Sequence, residues 1–419
     1  MNENIECTVR LWGEDVGVIA KIKHKTYFQY DSAFLEKRLE ISPLHLALSQ
    51  KVYETSHLDY FEGLAGVFAD SLPDSWGTKI VENYFLKHKN IPPHKISPID
   101  KLLYMGSRGA GALEFYPSYA PSDQTKQVLE ISALVQESKK ILRGDVSYVL
   151  PEIFRLSSDS LGGAKAKATI GLSHDSKEII ATQAHLPKGF EHWLLKFDGT
   201  NEQGKATENL LAEKAYLDMA KRCGIDTVEA QIIQDGDFNH LAVKRFDRVG
   251  DSKPLHMHTL AGISHINFRD RNMMNYDKFF RTILAVTKNY AILEEGYKRM
   301  VFNVLSGNQD DHAKNHTFIM DTSGTWRLSP AYDISPTFAY GHQMDINFKD
   351  KGVNHQDLLL MAERFDIPNA KEILAGQIDV LHDFRKYAKA LEMSNDKIET
   401  IRQNFKLGVF PSYHRLGGS

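Results

Sequence analysis

Cysteine is nearly absent from the chain: Cys7 and Cys223 are the only two among 419 residues. A secreted scaffold stapled by disulfides carries more, at regular spacings, so that class is excluded. Long apolar runs are missing too, since none approaches the roughly 18–20 residues that cross a bilayer. Neither sign of charge dominates, with 51 Lys and Arg against 54 Asp and Glu and a formal charge of −3. That rules out a protein coating nucleic acid by net charge alone, though not a local basic patch. The opening Met1-Asn2-Glu3-Asn4-Ile5-Glu6 is polar and acidic with no signal-peptide core, from which a cytoplasmic protein is expected. No internal repeat is visible. What is there is globular: hydrophobic residues make up 42% and charged residues 25%, against global disorder or a fibrous repeat. At about 100–200 residues per domain, the length suggests two or three packed units.

Local pattern gives a mixed α+β chain. Residues 7–12 and 16–20 alternate around Gly13-Glu14-Asp15 and read as a hairpin, with 26–30 as a third strand. Residues 61–74 have helical spacing ending at Pro73, and Ser75 opens another helix through Phe85. Residues 90–98 carry three prolines and read as a loop, and 105–112 form a Gly-rich turn before Leu113-Glu114-Phe115. The polar stretch 118–127 reads as a surface linker. Beyond it, 168–172, 179–184 and 192–197 read as strands, 208–222 as an amphipathic helix capped by Gly224, and 228–234 with 240–245 as a strand pair. Residues 276–305 are mostly helical, 317–320 and 326–328 form a hairpin, and helical periodicity returns from about 356. The expected division is an N-terminal α+β module at 1–125, a sheet lobe at 150–250 and a helical lobe at 251–419.

Chemistry concentrates in Gly307-Asn308-Gln309-Asp310-Asp311-His312-Ala313-Lys314-Asn315. An Asp followed five positions later by an Asn is the arrangement of kinase catalytic loops: one residue accepts the proton of the attacking hydroxyl, the other reaches a metal between the phosphates. Asp310 and Asn315 are the candidates. Asp333, in Tyr332-Asp333-Ile334, supplies the hard anionic oxygen that Mg²⁺ also needs. Alone, each of these is an ordinary turn residue. A zinc-hydrolase reading of His312 and His316 fails, because Ala313 stands where the motif needs Glu.

Further upstream, Ser160-Leu161-Gly162-Gly163-Ala164-Lys165-Ala166-Lys167 precedes a strand and lets backbone approach phosphate oxygens, with Lys165 and Lys167 to complement the anion, although it lacks Walker A spacing. Lys196 sits among large apolar residues of a strand, a costly place unless it is paired or functional. Glu213, with Glu208 as second choice, lies on the following helix and could orient it. Leu241-Ala242-Val243-Lys244-Arg245-Phe246-Asp247-Arg248 is a strand leaving the sheet, where main-chain groups could read adenine. Taken in order, these signals follow the layout of a two-lobed kinase with adenine between a sheet lobe and a helical lobe.

Over essentially its whole length the sequence resembles the HipA toxin kinases, serine/threonine kinases of bacterial type II toxin–antitoxin modules. The residues that carry the resemblance are Phe61-Glu62-Gly63-Leu64, Leu72-Pro73-Asp74-Ser75-Trp76-Gly77, Gly111-Ala112-Leu113-Glu114-Phe115, the Gly-rich segment from Ser160, Leu195-Lys196, residues 241–248, Asp310 to Asn315, and Tyr332-Asp333-Ile334. The resemblance implies a two-lobed protein-kinase-like, HipA-like fold with a small β-rich N-terminal module. It implies Asp310 as catalytic base and Asn315 and Asp333 as Mg²⁺ ligands. It assigns ATP binding to Gly162, Gly163, Ala164, Lys165, Lys196, Glu213, Lys244, Phe246, His312 and Lys314. Ser160 matches the family's autophosphorylated serine, with Ser157 and Ser158 as alternatives. A phosphate there, of charge about −1.5 to −2, cannot share a pocket with ATP phosphates, so modification would inactivate. Lys244 stands where the family's best-known member has an acid, so adenine recognition there is expected through backbone atoms. Implied partners are a HipB-like helix-turn-helix antitoxin, operator DNA mainly through it, and a protein substrate of the aminoacyl-tRNA synthetase class, the glutamate enzyme being the best known. No membrane partner is expected. The competing readings are a small-molecule phosphotransferase of the antibiotic-kinase type and a non-catalytic co-repressor.

Overall fold

Alternating burial builds the first sheet. The computed structural model describes residues 4–119, 129–142, 165–181, 185–201, 203–250, 252–339 and 341–407. β1 (Asn4–Leu11) and β2 (Glu14–Ile22) pair antiparallel. Cys7, Val9 and Leu11, every second residue of β1, are buried, as period-two geometry requires when one face meets the core. Trp12 and Gly13, at φ 52° and 85°, close the hairpin. Two successive positive φ values match the twist of the flanking strands. The turn is therefore shorter than the 13–15 segment read from the sequence, with pairing that runs to Leu11 and Glu14. β3 (Lys25–Tyr30), β4 (Tyr53–Glu54) and β5 (Leu113–Tyr116) complete the order β4-β3-β2-β1-β5.

The expected helix over 61–74 is broken. Two short turns stand in its place, Asp59–Phe61 and Gly66–Ala69, because Glu62 and Gly63 take positive φ between them (55° and 79°). The helix Ser75–Tyr84 starts where Asp74 accepts from the Gly77 N–H, and the helix Pro98–Met105 starts at a Ser97–Asp100 capping box.

The second sheet contains β6 (Lys167–Ser173), β7 (Ile179–Ala181), β8 (Phe190–Lys196), β9 (Ala230–Asp235) and β10 (Phe238–Lys244), in the order β7-β6-β8-β10-β9. Six of the seven β6 residues are buried. Trp76, Ile80 and Val81 of the N-terminal helix share a core with Ala168, Ile170, Trp193 and Leu195 of this sheet.

Contact density divides the chain into two units that are not consecutive segments. The first takes in the described residues of Met1–Thr207, Ile233–His265 and Thr317–Trp326, and so holds the first sheet, the second sheet apart from Ala230–Ile232 of β9, and an antiparallel pair, His256–Thr259 with Thr317–Met320. The second takes in Glu208–Ile232, Ile266–His316 and the described residues of Arg327–Ser419, and is mostly helical. Its helices Tyr276–Thr287 and Ala291–Ser306 are separated at Lys288, φ 54°. The Tyr216 hydroxyl of the helix Asn209–Arg222 donates to the Ser306 carbonyl at 2.8 Å, and Gln377 donates to the Lys298 carbonyl at 3.0 Å. No helix among the described residues is long and apolar enough to cross a membrane.

Candidate active site

In the second unit the helix Ala291–Ser306 ends at Gly307, whose φ of 70° turns the chain sharply. Asn308 donates to the Asn303 side chain at 2.9 Å, and Asn303 donates to the Tyr276 hydroxyl at 3.0 Å. The loop then presents Asp310, whose side chain is 44% exposed, with His312 Nε2 3.8 Å from its Oδ1. A single 3₁₀ turn, Ala313–Asn315, brings the chain back, and Asn315 Nδ2 donates to the Asp310 carbonyl at 2.9 Å. That bond occupies the amide nitrogen and leaves Oδ1 as an acceptor.

Asp311 points the other way. It is buried and accepts from the Tyr276 hydroxyl (2.8 Å), His342 Nδ1 (2.9 Å) and the Gln343 N–H (2.7 Å). Burial pulls its carboxyl toward the neutral form, but His342 and these donors outweigh burial and hold it below the usual carboxylate range. The Asp-Asp dipeptide thus splits its duties: one carboxylate faces out and its neighbour anchors the loop. The sequence reading missed Asp311, Tyr276, Asn303 and His342, and the only available signal was the doubled Asp.

Asp333 is held by the strand-like run beside it. The Ala331 N–H donates to the Asp226 carbonyl at 2.7 Å and the Val228 N–H to the Ala331 carbonyl at 3.1 Å, while the Tyr332 hydroxyl donates to the Lys314 carbonyl at 2.7 Å. Asp333 itself adopts φ 55°, uncommon for a non-glycine residue. Asn315 and Asp333 line one small cavity together with Asp311, Asn303, Asn308, Arg299 and His316. An amide oxygen and a carboxylate on one wall suit Mg²⁺, which takes few protein oxygens and completes its octahedron with water and phosphate. No group of three or more His, Cys, Asp or Glu suited to a metal occurs among the described residues, so a cage built wholly by such side chains is not what this wall offers. His316 is buried and neither ring nitrogen has a hydrogen-bond partner among the described residues; burial pushes it down to about 3. Lys314 lies over the Phe268 ring at 5.2 Å. Glu213 is buried on the helix Asn209–Arg222, whereas Glu208 accepts from the Ser394 N–H and hydroxyl, both at 2.7 Å, at the start of the helix Asn395–Arg402. Glu208 is therefore committed to that helix start.

In the first unit Lys196 ends β8, half-buried, directly across the sheet from Lys167. Lys167 Nζ lies 2.6 Å from Asp74 Oδ2 with both side chains 5% exposed, so its charge is offset inside the protein and is not available to phosphate as the sequence suggested. Lys165 is exposed. Lys244 Nζ pairs with Glu191 at 2.8 Å, so its charge is already partnered by that carboxylate. Phe246 packs against Ala110, Leu255, Met257 and Ile319. Gly162, Gly163 and Ala164, with Ser157, Ser158 and Ser160, lie outside the described residues.

Comparison with known proteins agrees in both halves. Residues 7–116 match the model of the HipA N-terminal domain and residues 159–405 that of the HipA-like C-terminal domain. The chain belongs to the HipA family. It is 26% identical over 354 residues to a Sinorhizobium fredii protein named as an inferred kinase, covering 79% of this chain and 77% of that one. It is 24% identical over 250 residues to the serine/threonine-protein kinase toxin HipA of Shewanella oneidensis, covering 55% of this chain and about half, 54%, of that one. A solved structure of the Shewanella oneidensis HipA, HipB and operator DNA complex has the same fold, with a TM-score of 0.69 at 16% identity over 95% of each chain. The relatives thus carry kinase names, and the fold is the HipA-like one.

Proposed function

We propose that the protein is an ATP-dependent serine/threonine kinase acting as the toxin of a type II toxin–antitoxin module. The observation that carries this reading is the cavity that Asn315 and Asp333 both line, beside a loop that turns Asp310 outward. In the proposed reaction a serine or threonine hydroxyl gives its proton to the Asp310 carboxylate. Its oxygen bonds to the γ-phosphorus of ATP as the bond to the β,γ-bridging oxygen breaks, and ADP leaves with that electron pair. Asn315 and Asp333 are assigned to hold a Mg²⁺, whose charge offsets that of the phosphates. Lys196 is assigned to the α- and β-phosphates, with Glu213 to orient it, and Lys165 with Gly162, Gly163 and Ala164 to cover the nucleotide. His312 and Lys314 are assigned to the phosphate side. Main-chain groups of Lys244 and Phe246 are assigned to adenine.

Autophosphorylation is proposed at Ser160, with Ser157 and Ser158 as alternatives, and it would switch the enzyme off. The protein target is proposed to be an aminoacyl-tRNA synthetase, so that modification starves translation. The partner is a HipB-like helix-turn-helix antitoxin that carries operator DNA contact; the chain's formal charge of −3 fits a protein that leaves DNA to a partner.

Incubation of the purified protein with γ-labelled ATP and a cell extract tests this. Label on this chain and on an extract protein is expected, absent from Asp310→Asn. Label only on a small molecule would make the protein a small-molecule phosphotransferase. No transfer at all, with antitoxin binding intact, would make it a co-repressor.

A further inference from the structure

The first unit ties its N-terminal module to both ends of the second sheet that the proposed function assigns to the nucleotide. The first tie is at the entry to β6. Lys167, two residues after the Gly-rich segment ends at Lys165, pairs with Asp74 and accepts the Trp76 indole N–H on its carbonyl at 2.9 Å. Asp74 also accepts from the Gly77 N–H at 2.7 Å, so one carboxylate joins the start of the helix Ser75–Tyr84 to the strand.

The second tie is at the exit of β10. Just past Lys244, the chain folds Arg245, Asp247 and Arg248 onto the turn Gly109–Gly111. Asp247 Oδ2 accepts from the Gly111 N–H (2.8 Å), Arg245 Nη2 (2.7 Å) and Arg248 Nη1 (2.6 Å), and Oδ1 accepts from Arg245 Nε (3.0 Å). Arg248 donates to the Gly111 carbonyl at 2.8 Å, and both arginines donate to the Gly109 carbonyl at 3.2 Å. Gly111 sits at φ 79°, and a Cβ there would come within 2.7 Å of Met257 Cγ.

The shared apolar core around Trp76 already holds the module on the sheet. Buried ion pairs are a poor way to add stability, because desolvation offsets most of their attraction. Their directional bonds do something the core cannot: they fix individual backbone groups. The backbone groups bonded here are the Lys167 carbonyl, two residues past the Gly-rich segment, and those of Gly109 and Gly111, which hold the side chains just past the strand end that the proposed function assigns to adenine.

We propose, resting on the kinase reading, that the N-terminal module is a positioning element of the nucleotide site. Asp74 and Trp76 set the strand that follows the Gly-rich segment. The Gly109–Gly111 turn, through Arg248 and Asp247, sets the Lys244–Phe246 backbone. None of these residues touches the nucleotide; each acts through β6 or β10.

Two conservative variants of the full chain test it. Trp76→Phe keeps an aromatic side chain and removes the indole donor; Arg248→Lys keeps the charge and removes the fork to two carbonyls. Each should raise KM for ATP, and Kd for a fluorescent ATP analogue, about ten-fold, while kcat stays within about two-fold. Amide exchange should quicken in 167–169 for the first and 244–247 for the second. Glu62→Gln, which removes a surface pair with Lys101, should match wild type in all of these. Variants with wild-type KM, or with kcat falling in step with the folded fraction, would overturn the proposal. A wild-type protein that binds no ATP and transfers no phosphate would instead sink the kinase reading, and this proposal with it, whatever the exchange rates show.

Discussion

Asn315 donates its side-chain amide to the backbone carbonyl of Asp310 at 2.9 Å, so the residue proposed to hold metal also closes the loop that presents the proposed base. Replacing Asn315 by Ala removes both functions at once. Phosphoryl transfer should fall by about 10²-fold or more. Excess Mg²⁺ should recover only part of the loss, because the loop closure does not depend on the ion. Rate against Mg²⁺ concentration measures this.

Asp310→Asn should abolish transfer and leave the fold alone. The side chain is 44% exposed, and the neutral isostere keeps its size and shape. A thermal midpoint within about 2 °C of wild type, with no label incorporated, is the expected pair of results.

Asp311→Ala should act the other way. It strands the Tyr276 hydroxyl, His342 and the Gln343 N–H inside the protein. Removing one partner of such a buried network costs about 3–5 kcal/mol, far more than the interaction gains in net stability. Denaturant unfolding should show that loss, with activity falling further than the folded fraction because the loop presenting Asp310 loses its anchor.

Two glycine substitutions should differ in sign. A Cβ at Gly66 would meet the Gly262 backbone oxygen at 2.1 Å, and backbone cannot move aside cheaply, so Gly66→Ala should destabilise by about 3 kcal/mol or more. Gly376, in the helix Ala370–His382, has nothing within 4 Å of its Cβ position among the described residues. Gly376→Ala should stabilise by about 0.5–1 kcal/mol. Unfolding midpoints in denaturant decide both.

Mild acid should weaken the fold. Burial pushes His316, His265 and His192 down to about 3 and His256 to about 4. Between these values and the unfolded value near 6.5, the unfolded chain binds protons that the native state refuses. Stability therefore falls as pH drops through that window, by about 1.4 kcal/mol per pH unit for each such histidine. Asp247 adds to the loss lower down: burial favours its neutral form, but Arg245 and Arg248 outweigh burial and hold it well below the usual carboxylate range. Urea unfolding at about pH 7 and about pH 5 should show the difference.

Hairpin alternation in 7–30, the helix from Ser75 and the Asp310–Asn315 spacing were all legible in the chain, because each depends on neighbours within a few residues. Whether a helical pattern would break at Glu62 and Gly63 was not legible; periodicity cannot register two residues turning to positive φ. The roles of paired residues were hidden for a related reason. Lys167 looked like a phosphate-binding lysine until Asp74, 93 positions earlier in the sequence, proved to be its partner. Asp311 had no part assigned from spacing, and its role shows only where Tyr276 and His342 bond to it.

By itself, then, the sequence determined most of the element types it read, the near-neutral charge, the lack of a disulfide framework and the family to which the motifs point. Local propensity and short-range spacing suffice for those. Only the tertiary structure decided which charged residues are spoken for, which Asp faces outward, and that the N-terminal module grips both ends of the second sheet. Those outcomes depend on contacts between residues far apart in the chain, and on burial, which makes an unpaired charge too costly to leave alone.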